Sequence, residues 1–266
     1  MKELFSVDGK VIVVTGGAGY LGSAMVRALL EYGATVVVAD VVERTPVEIA
    51  GSSDLAKNLL VIKCDLTSTD AIIDLFKQVK ASCGRIDVLV NCAAYGGGAS
   101  GKTVGNVIEQ ITDEIWRKGI DGTIDVTFRC TREVLPYFFE AGKGNIVNVA
   151  SMYGMVSPDP RIYGTSGQNN PPPYGAGKAA VLQFSRYCAA HLANKNIRVN
   201  CLTPGPFPNP KGLKDDGFKE QLENKTMLGK IGKPEDMTGA LLLLASEASA
   251  FMTGSNIVVD GGWTAW

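Results

Sequence analysis

Three observations predict an α/β fold built on one doubly wound, seven-stranded parallel sheet with helices on both faces. Short runs of Val, Ile and Leu alternate with longer helical patterns along the whole chain. Most of those runs are continuous rather than alternating, as for strands covered on both faces. No internal repeat or domain-sized linker interrupts them, so the 266 residues read as one domain, 1–266.

The strands are expected at Val11–Thr15, Thr35–Ala39, Leu59–Lys63, Val88–Asn91, Asn145–Ala150, Ile197–Leu202 and Asn256–Val259. Helices are expected at Leu21–Tyr32, Thr69–Ser82, Thr112–Glu140, Tyr174–Asn194 and Pro234–Ser246. Two segments break the rhythm. Tyr95–Asn106 is Gly-rich and reads as a loop after the fourth strand. Ser157–Pro173 carries five prolines and reads as an ordered, non-helical excursion near the active site.

Composition excludes several function classes. A net charge of −1 without a long basic run speaks against nucleic acid, and no apolar stretch approaches the length of a membrane span. The first residues, Met1–Asp8, are too polar for a secretory signal. Six cysteines are scattered without a CxxC pair, which points to buried reduced thiols in a cytoplasmic protein rather than disulfides or zinc. The sole histidine, His191, lies in a helical run, so neither a His-based triad nor a metal site is expected.

At the N-terminal end, Thr15-Gly16-Gly17-Ala18-Gly19-Tyr20-Leu21-Gly22 follows the first strand and opens the first helix. Gly16, Gly19 and Gly22 permit a tight turn, close approach to a pyrophosphate, and close helix–strand packing, with the helix N-terminus facing the anion. Asp40 ends the next strand, where a carboxylate accepts from the adenosine ribose hydroxyls and repels a 2′-phosphate. Neither position 17 nor 18 is Lys or Arg, so NAD is the expected cofactor rather than NADP. Asp65 and Leu66 end the third strand, near the adenine edge. Asn91 and Ala93 end the fourth, where small residues let backbone lie against ribose.

Further on, Tyr174 and Lys178 stand four residues apart on one helix face, downstream of Ser151 at a strand end. A phenol titrates near about 10. A Lys⁺ one turn away, together with an oxidised nicotinamide ring, would favour the phenolate and make it a base.

These elements together resemble the short-chain dehydrogenase/reductase family, in its single-domain branch with a Rossmann-type sheet. The likeness includes the glycine turn, Asn91-Cys92-Ala93-Ala94, Asn148-Val149-Ala150-Ser151, the Tyr174/Lys178 pair, Ile197-Arg198-Val199-Asn200, Pro204-Gly205 and Thr253-Gly254…Val259-Asp260-Gly261-Gly262. It implies Tyr174 as catalytic acid/base, Lys178 on the nicotinamide ribose, and Ser151 on the substrate oxygen. It also implies Tyr20, Leu21, Pro204, Gly205 and Phe207 along the cofactor, and a homo-oligomer (tetramer or dimer) built on the two long helices. The termini, Met1–Lys10 and Val259–Trp266, are most similar to gluconate 5-dehydrogenase and related sugar- or polyol-oxidising members.

Four departures from the family pattern stand out. Tyr20 replaces a usual Gly, as in the epimerase/dehydratase branch. Ser151 and Tyr174 are farther apart than the family habit, and the surplus matches the Pro-rich excursion, read as an insertion near 157–173 that shapes the substrate mouth. Tyr163 lies nearer the usual spacing, yet no Lys follows it four residues on. Aligned on Trp116, Thr123 stands where the family's fourth catalytic residue, an Asn, supports a proton relay. The family's Thr after Pro-Gly is not evident in Pro206-Phe207-Pro208-Asn209. The leading expectation is an NAD-dependent oxidoreductase acting on a secondary alcohol or ketone of sugar, sugar-acid or polyol type. A sugar-nucleotide epimerase or dehydratase and a non-catalytic nucleotide-binding module are the alternatives.

Overall fold

The computed structural model describes residues 2–95, 108–164, 169–210, 213 and 216–266. The strands are β1 (Val11–Thr15), β2 (Thr35–Asp40), β3 (Leu59–Lys63), β4 (Val88–Asn91), β5 (Gly144–Val149), β6 (Ile197–Pro204) and β7 (Asn256–Val259). They form one parallel sheet in the order β3-β2-β1-β4-β5-β6-β7, with Val13 of β1 opposite Val37 on one side and Leu89 on the other. The helices are α1 (Tyr20–Glu31), α2 (Pro46–Ala50), α3 (Ser53–Ala56), α4 (Thr69–Cys83), α5 (Asp113–Ile120), α6 (Val126–Ala141), α7 (Pro172–Leu192), α8 (Asp216–Asn224) and α9 (Thr238–Ala245).

Strand side chains point alternately to the two faces, so a continuous apolar run builds two cores at once. Ile12, Val14, Val36 and Val38 pack under Met25 and Leu29 of α1, Ile49 of α2 and Leu241 of α9. Val11, Val13, Val37 and Ala39 pack on the opposite face with Phe76 of α4, Val134 and Phe138 of α6 and Cys188 of α7. All six cysteines are free, four of them buried. Among the described residues no helix is long and apolar enough to cross a membrane.

The helix expected from Thr112 to Glu140 is instead three pieces. A π turn at Asp121–Asp125 separates α5 from α6. Its cause is a tertiary contact: the Tyr95 N–H donates to the Gly122 carbonyl at 3.0 Å, and a Cβ at Gly122 would fall 2.5 Å from the Tyr95 carbonyl oxygen. Widening the helix there frees carbonyls, and hydroxyls take them up. Thr123 Oγ1 donates to Gly119 O at 2.8 Å and Thr127 Oγ1 to Thr123 O at 2.9 Å. The helix expected from Pro234 opens as a 3₁₀ turn, Pro234–Met237, before α9.

The Pro-rich excursion contains a 3₁₀ turn at Pro160–Tyr163 that packs on α8. There the Tyr163 ring stacks on Phe218 with centroids 5.4 Å apart, and the Asp159 carboxylate pairs with Lys225 at 2.6 Å and with Arg161 at 2.8 Å. Residues 165–168 of this excursion lie outside the described residues. So do residues 96–106 of the expected Gly-rich loop.

Candidate active site

Strand order reverses between β1 and β4, and in such sheets ligands bind outside the carboxyl ends of the strands at that switch point. A cavity of about 550 Å³ runs along it. A second, of about 440 Å³, is bounded by the chain after β6 and by α8. Tyr20, Leu21, Tyr174 and Pro204 line both, so the two cavities meet at the Tyr174 phenol.

The first cavity begins at the glycine turn. Gly16 has a φ of +68°, and a Cβ there would stand 2.7 Å from Ala93 Cα. A Cβ at Gly22 would lie 2.2 Å from Gly16 O. Side chains are therefore excluded where β1, β4 and α1 converge. Gly19 caps α1 without any side-chain hydrogen bond, and the first turn holds no acidic residue. Its N–H groups and the positive end of the helix dipole are left for an anion.

Asp40 lines the same cavity. Its Oδ2 accepts from Ala18 N at 3.0 Å and its Oδ1 from Val42 N at 3.0 Å, which fixes the carboxylate while each oxygen keeps acceptor capacity. Asp65, Leu66 and Ala93 line it further along. Hydrogen bonds from the Thr67 backbone and hydroxyl hold the exposed Asp65 carboxyl below its usual range. Asn91 lies outside the described lining. Its amide donates to Asn148 Oδ1 at 2.8 Å and to Thr131 Oγ1 at 3.1 Å, tying β4 to β5 and α6. A side-chain-free turn, an uncapped helix N-terminus and a carboxylate at the next strand end fit a dinucleotide. Gly16–Gly22 would hold its pyrophosphate, Asp40 its adenosine ribose, and Tyr174 with Lys178 its nicotinamide ribose.

The chemistry-bearing end is set by two elements in contact. Ser151 follows β5 and caps the short turn Met152–Gly154, its Oγ accepting from Tyr153 N at 3.2 Å. A Cβ at Gly154 would stand 2.8 Å from the Lys178 carbonyl carbon, so this turn lies directly on the α7 backbone. Pro172 and Pro173 occupy the first positions of α7, where a missing N–H costs nothing, and Tyr174 N donates back to Pro171 O at 3.0 Å. The Ser151 hydroxyl thus shares the second cavity with the Tyr174 phenol, near enough for its hydrogen bonding to lower the phenol.

Lys178 sits one turn further, only 3% exposed. Its Nζ donates to Val149 O at 2.6 Å and lies 5.9 Å from the Tyr174 ring centroid. Burial pulls the ammonium down to about 8, against the opposing influence of Cys92 and Cys201. For Tyr174, burial is also the largest influence and raises the phenol, while the bond from Ser151 lowers it. In the chain without a nicotinamide ring, burial is thus the dominant influence on the phenol, and Lys178 Nζ is engaged by the Val149 carbonyl.

Thr123 is brought elsewhere. It is fully buried, bonded to the carbonyls of Gly119 and Ile120, and pressed on Gly177, where a Cβ would stand 1.8 Å from its Oγ1. Among the described residues it lines neither cavity. Pro204, Gly205 and Phe207 all line the second cavity, and the Phe207 ring lies on Gly232. Tyr153, Tyr163, Asn170, Phe218 and Leu222 line it as well. Of these the sequence alone brings up Tyr163, rejected as the base, and Asn170, as part of a polar excursion whose amides suit sugar hydroxyls. The one legible sign of the α8 wall is the Phe218/Leu222 pair at i and i+4.

The family profile described as Enoyl-(Acyl carrier protein) reductase matches residues 16–264. The chain is 33% identical over 258 residues to a 3-oxoacyl-[acyl-carrier-protein] reductase FabG of Thermotoga maritima, covering 96% of this chain and 98% of that protein. It is 33% identical over 267 residues to the cis-4-hydroxycyclohexanecarboxylate dehydrogenase of Sinomonas cyclohexanicum, covering the whole of both. Among solved structures, a gluconate 5-dehydrogenase from Burkholderia cenocepacia J2315, in complex with NADP and tartrate, superposes with a TM-score of 0.84. That protein is 25% identical, and the match covers 100% of this chain and 99% of its own. With the glycine turn, the switch-point cleft and the Ser151–Tyr174–Lys178 cluster in place, the chain belongs to the short-chain dehydrogenase/reductase family.

Proposed function

We propose that this protein is an NAD-dependent dehydrogenase that interconverts a secondary alcohol and its ketone, on a sugar, sugar acid or polyol, with Tyr174 as acid/base. The observation that carries the reading is that Ser151 and Tyr174 line one cavity at the point where it meets the other. Ser151 would hold the substrate oxygen, and Tyr174 Oη would take the hydroxyl proton on oxidation or return it on reduction. Lys178, buried and anchored on Val149, would orient the nicotinamide ribose and, while charged, stabilise negative charge on the phenol oxygen. A bound nicotinamide dinucleotide supplies the hydride acceptor or donor. Thr123, bonded within its own helix, would act by setting the α5–α7 packing rather than by touching substrate.

Asp40 supports NAD over NADP, since a fixed carboxylate at the ribose end opposes a 2′-phosphate. The two relatives' names support redox chemistry at an oxygen-bearing carbon, and the tartrate of the Burkholderia neighbour supports hydroxylated substrates. We read the protein as a single domain with an insertion near 157–173, working in the cytoplasm as a homo-oligomer (tetramer or dimer). The test is to follow reduced-nicotinamide absorbance with NAD⁺ or NADP⁺ across polyols, sugar acids and aliphatic alcohols, for the parent and Tyr174→Phe. Turnover with NAD⁺ that Tyr174→Phe abolishes is expected; unchanged turnover in that variant sinks the reading.

A further inference from the structure

Asn170 carries a buried amide whose oxygen no contact among the described residues accounts for. The residue is 5% exposed, and its Oδ1 has no hydrogen-bond partner among the described residues. Buried side-chain oxygens nearly always have a partner, and leaving one unpaired costs free energy, so an exception calls for a reason. Asn170 lines the same cavity of about 440 Å³ as Ser151 and Tyr174, a volume that one small molecule spans.

Its position is also fixed in advance. Pro171, Pro172 and Pro173 follow it directly, and a residue before proline is confined to extended backbone. Its own N–H donates to Asn169 Oδ1 at 2.9 Å. The amide is thus held four residues ahead of Tyr174 by three consecutive prolines, which is what recognition needs and what a flexible loop would not provide.

The rest of the described lining is uncharged, so recognition within it falls to hydrogen bonds and apolar faces. Ser151 and Tyr174 are committed to the reacting oxygen. The Tyr163–Phe218 stack, continued by Leu222, lines the same cavity as a wall suited to the C–H face of a ring or chain. What remains for the Asn170 amide is a second polar group on the substrate. A hydroxyl satisfies it in either orientation, donating to the oxygen or accepting from the NH₂.

We propose that Asn170 is a specificity residue that binds a second hydroxyl of the substrate, so that the preferred substrates are polyhydroxylated rings or chains and not simple mono-alcohols. This rests on the dehydrogenase reading given above. It adds the residue through which that substrate class would be selected, which the Ser–Tyr–Lys cluster does not specify.

The test compares kcat/KM with NAD⁺ for cyclohexanol, the cyclohexane-1,2-, 1,3- and 1,4-diols and myo-inositol, in the parent, Asn170→Ala and Asn170→Asp. The parent is expected to prefer at least one hydroxylated ring over cyclohexanol by about tenfold or more. In Asn170→Ala that ratio falls at least about tenfold, mainly through KM, while Asn170→Asp, which keeps an acceptor in place, retains most of it. A ratio unaltered in Asn170→Ala, or a parent that favours cyclohexanol, overturns the assignment while the dehydrogenase reading stands. Absence of turnover by the parent with every alcohol overturns that reading and takes this inference with it. Urea unfolding of both variants separates a lost contact from a lost fold.

Discussion

Lys178→Met isolates the cost of burying an ammonium behind the cofactor cleft. In the folded chain Lys178 titrates at about 8, against an ordinary value of 10.5, because burial penalises its charge. The gap, at about 1.4 kcal/mol per pH unit, amounts to about 3 kcal/mol. Between these two values the unfolded chain holds the proton and the folded chain does not. The unfolding free energy of the parent therefore climbs with pH across that window, and below it the whole cost of the buried charge is present. The Met variant lacks the climb. It also loses the bond from Nζ to Val149 O, leaving that carbonyl unpaired at about 1–3 kcal/mol, a loss that does not vary with pH. Urea unfolding of both proteins, at pH values from about 7 to about 10, reads the difference directly, since groups titrating alike in both cancel. The difference should move in favour of the parent by about 2–3 kcal/mol as pH rises. A difference flat to within about 0.5 kcal/mol would refute the premise that Lys178 is buried in its charged form below pH 8.

Three further outcomes follow from the same geometry. Gly22→Ala places a Cβ 2.2 Å from Gly16 O and 2.9 Å from Gly17 Cα, both backbone, so thermal unfolding should show a loss of about 2 kcal/mol or more, with weakened binding of NAD⁺; a melting curve like the parent's contradicts this. Asp40→Ser removes the carboxylate opposed to a 2′-phosphate, and kcat/KM for NADP⁺ relative to NAD⁺ should rise at least about tenfold; an unaltered ratio means the preference is set elsewhere. Gly177→Ala drives a methyl to 1.8 Å from Thr123 Oγ1 and should destabilise by about 1–3 kcal/mol, with partial recovery in the Gly177→Ala/Thr123→Ala double variant; strictly additive losses in chemical unfolding would show that the two positions do not press on each other.

The sheet is legible in the sequence because central strands such as β1, covered on both faces, are apolar nearly throughout; Val11–Thr15 and the edge strand Leu59–Lys63 are found with unchanged bounds. The glycine turn is legible for a similar reason, since Gly16 and Gly22 answer to steric limits that no other residue meets. What is not legible depends on contacts distant in sequence. The π turn at Asp121–Asp125 arises from Tyr95 pressing on Gly122, and nothing within 112–140 marks it. The short helix α2 is too brief for a period to show, and α8 shows only the Phe218/Leu222 pair; α8 is placed by Phe218 stacking on Tyr163, a ring in another segment. The state of Lys178 is hidden for the same reason. Its spacing from Tyr174 is local, but its burial and its bond to Val149 come from β5.

The long interval between Ser151 and Tyr174 does not separate them, because each end of the intervening segment is fixed by contacts indifferent to its length. At the near end Ser151 caps Met152–Gly154, and Gly154 lies against the α7 backbone at Lys178, where no side chain would fit. At the far end Pro171–Pro173 start α7 and set the direction in which Tyr174 leaves the loop. Chain added between these anchors can lengthen without moving the hydroxyl from the phenol. What the added chain changes is the wall: Tyr163 comes onto Phe218, Asp159 onto Lys225, and Asn170 into the cavity lining. On the proposed function, selectivity and acid–base chemistry would therefore reside in different stretches of backbone that share one cavity. Substitutions in 157–170 should alter which alcohol is accepted far more than how its proton is taken.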